Sequence, residues 1–276
     1  MATNRKSTLW GLVIGTIFAL LAAGAAQAEE REEFHKTYTL TADGRVSLKN
    51  INGSVTVTAW DRNEVQVDAV KRARDRQRLD EARIEVTAEA NSVDVRTRYP
   101  EHEGSYNNPA KIDYTLKVPR RALLDKIETI NGNVTVEGVQ GEVRANSING
   151  STVGRDLGSA VKLSSINGEV KALVSRISNA DAIRLDCVNG AVELTLPSDA
   201  SADVKASTVH GGINNDFNIP VQKGRFVGSA LEARLGSGSA SVKLSNVNGG
   251  IRILHASDGK PLSKVTNLLP EDRHFD

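Results

Sequence analysis

Residues Val161–Leu173 read VKLSSINGEVKAL. An Asn-Gly pair between two strand-like runs is a strong signal for a tight β-hairpin. A two-residue turn at Asn167-Gly168 would pair Ile166 with Glu169, Ser165 with Val170 and Leu163 with Ala172. Side chains alternate along a strand, so Val161, Leu163, Ser165, Val170 and Ala172 would share one face. Ile166 would then point the other way.

The same pattern recurs. Related segments begin at Val46, Lys126, Val143, Ile183, Val204 and Val242, and share V-x-L-x-x-[IV]-N-G-x-[VI]-x-[VL]. The [IV] position is filled by Ile51, Ile130, Ile148, Ile166, Val188, Val209 and Val247. From Ile130 onward the spacings are 18, 18, 22, 21 and 38 residues. The last is near two periods and leaves room for a divergent copy across Phe226 to Leu235. A fixed period near 20 residues marks a β-solenoid, whose turns are too thin to bury a core alone. Stacked about 4.8 Å apart, such turns build continuous parallel sheets.

The regular aliphatic residue favours the solenoid. A hairpin exposes it in every copy, whereas a corner between Leu163 and Ile166 would let both point inward. The expected fold is therefore all-β, a parallel β-solenoid of ~20-residue repeats with an N-terminal β-rich cap. An antiparallel meander or sandwich is the alternative. The corner column expected to carry the stack is Asn131-Gly132, Asn149-Gly150, Asn167-Gly168, Asn189-Gly190 and Asn248-Gly249. Its glycines would supply unusual backbone angles and its asparagines a side-chain ladder. His210 takes the Asn place in one turn.

Residues 1–28 read as a secretory signal peptide. Arg5 and Lys6 precede an uncharged apolar stretch, and Ala26-Gln27-Ala28 places the cut between Ala28 and Glu29. An uncleaved anchor is the rival reading. Residues 29–119 are expected to form a β-rich cap region continuous with the solenoid, 120–256 the repeats and 257–276 a polar tail. Within the cap, RDRQRLDEAR is rich in helix formers, and Tyr99 to Ala110 reads as a loop.

The chain has 35 basic and 34 acidic residues. Arg5 and Lys6 are the charged residues of the leader, so the remainder has one more acid than base. That balance argues against nucleic acid as a partner, and no later run is long and apolar enough to span a bilayer. Cys187, the single cysteine, excludes an internal disulfide and is expected to be a small buried residue. The five His have no metal-ligand spacing, and no phosphate loop or nucleophile elbow occurs. No cofactor or metal is expected.

Two charged sets invite a functional reading. Asp181, Asp186, Glu193 and Asp203 fall on successive turns, as paired carboxylates of a glycan-cleaving solenoid would. Lys162, Lys171, Arg184 and Lys205 occupy similar positions, as on a mixed solvated face. Lys71, Arg72, Arg74, Arg76, Arg78 and Arg83 could dock an acidic headgroup, but Asp75, Asp80 and Glu81 interrupt them.

The segments NINGSVTVTAWDRNEVQV, Tyr114–Pro119 (YTLKVP) and ETINGNVTVEGVQGEV, with the later NG repeats, are similar to the bacterial "putative adhesin" domains of unknown function. The similarity spans about residues 34–255. It implies a β-solenoid-like fold in exported or envelope proteins and brings no catalytic residues. The expectation is an exported, non-enzymatic protein, periplasmic or at the cell surface, that binds an envelope protein or glycan. The alternatives are a carbohydrate-active β-helix enzyme and an accessory component of an envelope-stress or assembly system.

Overall fold

The computed structural model describes residues 29–100, 110–158, 160–178, 181–224 and 227–269. The leader expected over residues 1–28, most of the loop expected after Tyr99 and the last seven residues lie outside them.

The fold is all-β. Two long sheets, one of ten strands and one of twelve among the described residues, enclose one apolar interior. The strands Val161–Asn167 and Val170–Leu173 decide how it is built. They do not pair with each other. Val161–Asn167 lies parallel to Val143–Asn149 in the twelve-stranded sheet, with Ser147 opposite Ser165 and Asn149 opposite Asn167. Val170–Leu173 lies parallel to Thr152–Arg155 in the ten-stranded sheet. Asn167-Gly168 is thus a corner at which the chain passes from one sheet to the other.

The same step repeats in both directions. Leu123–Asn131 with Val134–Glu137 precedes this turn pair, and Ala182–Asn189 with Val192–Leu196 follows. Next in space comes Ala240–Asn248 with Ile251–His255. Ala202–His210 with Ile213–Asn215 stacks outside it, although earlier in sequence. The chain therefore skips a place and later fills it.

The stack of parallel turns continues into the N-terminal region. Arg45–Lys49 with Val55–Trp60, and Ser92–Arg98 with Lys111–Pro119, add two further parallel turns. The capping strands are antiparallel: Glu64–Ala73 and Glu30–Thr39 on one sheet, Arg83–Glu89 on the other. A short helix, Arg76–Glu81, is N-capped by Asp75, which satisfies an amide of its first turn. At the opposite end, Ser229–Leu235 runs antiparallel against Ala202–His210. The divergent copy expected there is an end strand and not a turn of the stack. Val265–Asn267 pairs with it, so the polar tail expected from 257 includes a strand. Antiparallel strands cover both ends of the twelve-stranded sheet and one end of the ten-stranded sheet, where open edges would otherwise recruit another chain.

The interior is thin and aliphatic. Val161, Leu163, Val170 and Ala172 point inward, and each neighbouring turn contributes similar residues. Ile166 does not. It is 42% exposed, and Ile130, Val188, Val209 and Val247 are comparably open. The expected inward swing at the corner is corrected: alternation continues to Ser165, which is buried, and Ile166 takes the outer face. The parallel corner forms for another reason, visible in the hydrogen bonds around it.

Candidate functional site

The corner column is the most regular side-chain arrangement in the molecule. Asn131 Nδ2 donates to Asn52 Oδ1, Asn149 to Asn131, Asn167 to Asn149, Asn189 to Asn167 and Asn248 to Asn189, at 2.8–2.9 Å. All five bonds point the same way, so each amide accepts from one neighbour and donates to the other. Bonds aligned in this fashion polarise one another. His210 closes the column at its outer end, opposite Asn248.

The backbone bonding continues through each corner. Gly168 N donates to Asn189 O, and Gly150 N to Asn167 O, both at 2.9 Å. The glycine carbonyls are met from inside by a second column. Ser165 Oγ donates to Gly150 O at 2.8 Å, Ser147 Oγ to Gly132 O at 2.7 Å and Thr208 Oγ1 to Gly249 O at 2.9 Å. Cys187 Sγ reaches Gly168 O at 3.1 Å, and Asn246 Nδ2 reaches Gly190 O at 2.8 Å. A buried carbonyl needs a donor, and these residues supply it. The signal was present in the sequence as a small polar residue two places before each Asn.

Cys187 is therefore buried, as expected, and also a donor. Burial pushes its thiol above the usual range, which disfavours the thiolate a reactive cysteine needs. Replacing Cys187 with Ser keeps a donor, and stability should stay within about 1 kcal/mol. Cys187→Val removes the donor and should cost about 1–3 kcal/mol. Urea unfolding of the two variants checks the difference.

The candidate carboxylates do not converge. Asp186 lies on the outer face of the twelve-stranded sheet, held by Arg184 at 2.6 Å. Glu193 lies on the other sheet and pairs with Arg252 at 2.5 Å. Asp203 receives two bonds from Arg234, at 2.7 and 2.9 Å, and that contact holds its carboxyl below the usual range. Asp181 caps a loop by accepting from Ser178 N. None shares a cleft with another. Lys171 is likewise on the opposite sheet from Lys162, Arg184 and Lys205, so these residues do not form one face.

The basic segment is also dispersed. Lys71, 6% exposed, pairs with Glu32; Arg72 pairs with Asp113, Arg76 with Asp80 and Arg78 with Asp75. A Ser–His contact that the sequence did not announce joins Ser198 Oγ to His255 Nδ1 at 3.0 Å. Ser198 is 1% exposed, so its hydroxyl meets no substrate and serves to fix the loop around Asp258, which accepts from Ser198 N.

What remains open to solvent in a regular array is the aliphatic column beside the Asn ladder. Ile130, Ile166, Val188, Val247 and Val209 follow in that spatial order, each 38–43% exposed, with the half-buried Ile148 between the first two. Scattered exposed aliphatics are ordinary, whereas contiguous ones mark interaction surfaces. Among the described residues no helix is long and apolar enough to cross a membrane.

Comparison with known proteins gives a match between residues 26–254 and the family model described as Toastrack DUF4097. No curated protein sequence matches. Among solved structures, a "putative cell adhesion protein" from Clostridium sporogenes is similar at 12% identity, covering 82% of this chain and 100% of that one, with a TM-score of 0.48. A "putative adhesin" from Bacteroides fragilis is similar at 13% identity, covering 80% and 97%, with a TM-score of 0.44. A "putative lipid binding protein" from Parabacteroides distasonis is similar at 11% identity, covering 82% and 97%, with a TM-score of 0.32.

Proposed function

Since the chain belongs to the Toastrack DUF4097 family, we propose that it is an exported, non-enzymatic envelope protein presenting a rigid binding or scaffolding surface. In this reading the stack is a β-solenoid of ~20-residue repeats capped by the antiparallel strands of residues 29–119. Export rests on the leader pattern of residues 1–28 and the cut after Ala28. The observation that carries the binding role is the exposed aliphatic column, repeated turn after turn along the twelve-stranded sheet. An isolated exposed valine needs no explanation; a row in register offers a long, preorganised contact line. Preorganisation lowers the ordering cost of association.

The non-enzymatic part is supported by the fate of the carboxylates. A hydrolytic pair needs two carboxyls about 5–10 Å apart across one cleft, one of them protonated. Asp186, Glu193 and Asp203 are instead each bound to an arginine, on separate parts of the surface.

The test is capture. Purified protein should retain a protein or a glycan from envelope fractions, and lose it when Ile166 and Val188 are both changed to Asp. Turnover of an envelope polysaccharide that disappears in Asp186→Asn or Asp203→Asn would overturn the proposal.

A further inference from the structure

The outer face of the twelve-stranded sheet has a second regular feature, four residues before each ladder-side aliphatic. Arg144 lies opposite Lys162, Lys162 opposite Arg184, Arg184 opposite Lys243 and Lys243 opposite Lys205. Lys126 extends the row at its start, beside a β-bulge. Six cations thus stand on consecutive strands, about 4.8 Å apart. Like charges side by side in a sheet are unfavourable. The equivalent outward row of the other sheet avoids this by alternating Lys171, Glu193 and Arg252.

Neighbouring acids neutralise part of the row. Arg144 contacts Asp125 and Glu142, Arg184 contacts Asp186, Lys126 contacts Glu128 and Lys205 contacts Glu232. Lys162 and Lys243 are exposed and have no ion pair among the described residues. They flank the Arg184 strand, so two unpaired ammonium groups stand two strand spacings apart, about 9.6 Å.

Between the cationic row and the aliphatic row runs a shallow trough. Two adjoining depressions, of about 340 and 390 Å³, share Asn146 and Ser164. Ser245 continues their floor, and Ile166, Val188 and Val247 form the wall opposite the cations. The three acids that line it, Asp125, Glu128 and Asp186, are held by Arg144, Lys126 and Arg184.

We infer that this trough binds an extended anionic glycan, a polyuronate, laid along the stacking axis. The inference rests on the binding role proposed above and names the ligand class. An extended pyranose chain advances by about one strand spacing per ring, so carboxylates on alternate rings fall level with Lys162, which lines the trough, and with Lys243, which continues the cation row on the strand beyond Arg184. The small Asn and Ser side chains of the floor offer partners for sugar hydroxyls, and the aliphatic wall packs against the apolar ring faces. Nucleic acids bind such surfaces by stacking bases on aromatic rings, and no aromatic residue lines this trough. Polyphosphate has no apolar face for the aliphatic wall.

The experiment is titration calorimetry of the full chain with polygalacturonate oligomers, with dextran, polyphosphate and phosphatidylglycerol vesicles as parallel arms. Polygalacturonate should bind, and salt should weaken it. The double variant Lys162→Glu, Lys243→Glu should lose affinity by roughly tenfold or more, because it reverses both unpaired charges. Ile166→Ser with Val188→Ser should weaken polygalacturonate while leaving any polyphosphate binding unchanged. Lys171→Glu, on the opposite sheet, should change nothing. All these positions are exposed or half-buried, and unchanged melting curves confirm that the variants fold.

Absence of polygalacturonate binding, or binding indifferent to the Lys162 and Lys243 changes, overturns the inference. So does polyphosphate or vesicle binding of equal strength with no dependence on Ile166 and Val188. If dextran or an envelope protein binds this face instead, the ligand class fails and the binding role stands. If envelope capture fails as well, both fail.

Discussion

Replacing Gly168 with Ala should destabilise the protein by roughly 3–5 kcal/mol, at the upper end for single substitutions. The cause is contact between backbones. A Cβ on Gly168 would stand 2.2 Å from the carbonyl oxygen of Gly150, and its own φ is 158°. The obstructing atom belongs to the corner of the preceding turn, where Gly150 O already accepts from Ser165 Oγ. Moving it aside would break that bond and pull Gly150 N away from Asn167 O. One methyl group therefore opposes the stacking of this turn on the preceding one. Urea unfolding should show a lower midpoint, and a smaller slope if the stack now opens at this corner before it melts elsewhere.

A second glycine separates this effect from the general consequences of Gly→Ala. Gly212 has open space around the position of a Cβ and no left-handed backbone. Gly212→Ala should be neutral or stabilise slightly, by up to about 1 kcal/mol, through the unfolded state. Equal losses at 168 and 212 would show that close approach at the corner does not govern stability.

The repeat, the corner and the Asn column were legible because each depends on spacing alone. An Asn-Gly pair recurring every 18 to 22 residues fits a stack in which each amide needs the next at a fixed distance. The direction of Ile166 was not legible from the same spacing. A regular aliphatic residue need not be buried: the buried position is Ser165, whose hydroxyl is consumed by Gly150 O. Hydrophobicity located the core in Val161 and Leu163 and misled at the corner, where carbonyl satisfaction outweighs apolar burial.

The order of the last turns was hidden for a different reason. Nothing in the period says that Ala240–Asn248 enters between Ala182–Asn189 and Ala202–His210. The break in the amide column at His210 falls at the outer end of the stack, beside Asn248. The antiparallel end strands have no repeat signature at all. The cation row was legible residue by residue but not as a row. Its members had been grouped with Lys171, which the corner sends to the other sheet.

Leu163→Ala should also be costly, near the upper part of the 2–5 kcal/mol range for buried leucines. The range is wide because a void can be partly refilled by its neighbours, and here two of the neighbours, Ala145 and Gly154, are small. Leu163 lies directly opposite Ala145 in the adjacent strand. Across the interior it lies over Gly154, where an added Cβ would come within 3.0 Å of Leu163 Cδ1. Ala172 is the inward residue of its own turn on the facing sheet. One isobutyl group thus fills space left by an alanine and a glycine, bounded by Leu185 in the next strand and by Leu157 beside Gly154. Leu163 and Ala145 should therefore be coupled. Ala145→Leu alone should overpack the site and cost about 1–3 kcal/mol. Combined with Leu163→Ala it moves the same volume one strand along, so the double variant should be more stable than the sum of the two losses by at least about 1 kcal/mol. A double-mutant cycle from urea unfolding measures this term. Additive losses would mean that the two positions do not share one space, and that the large-beside-small pairing across turns is not what fills this thin core.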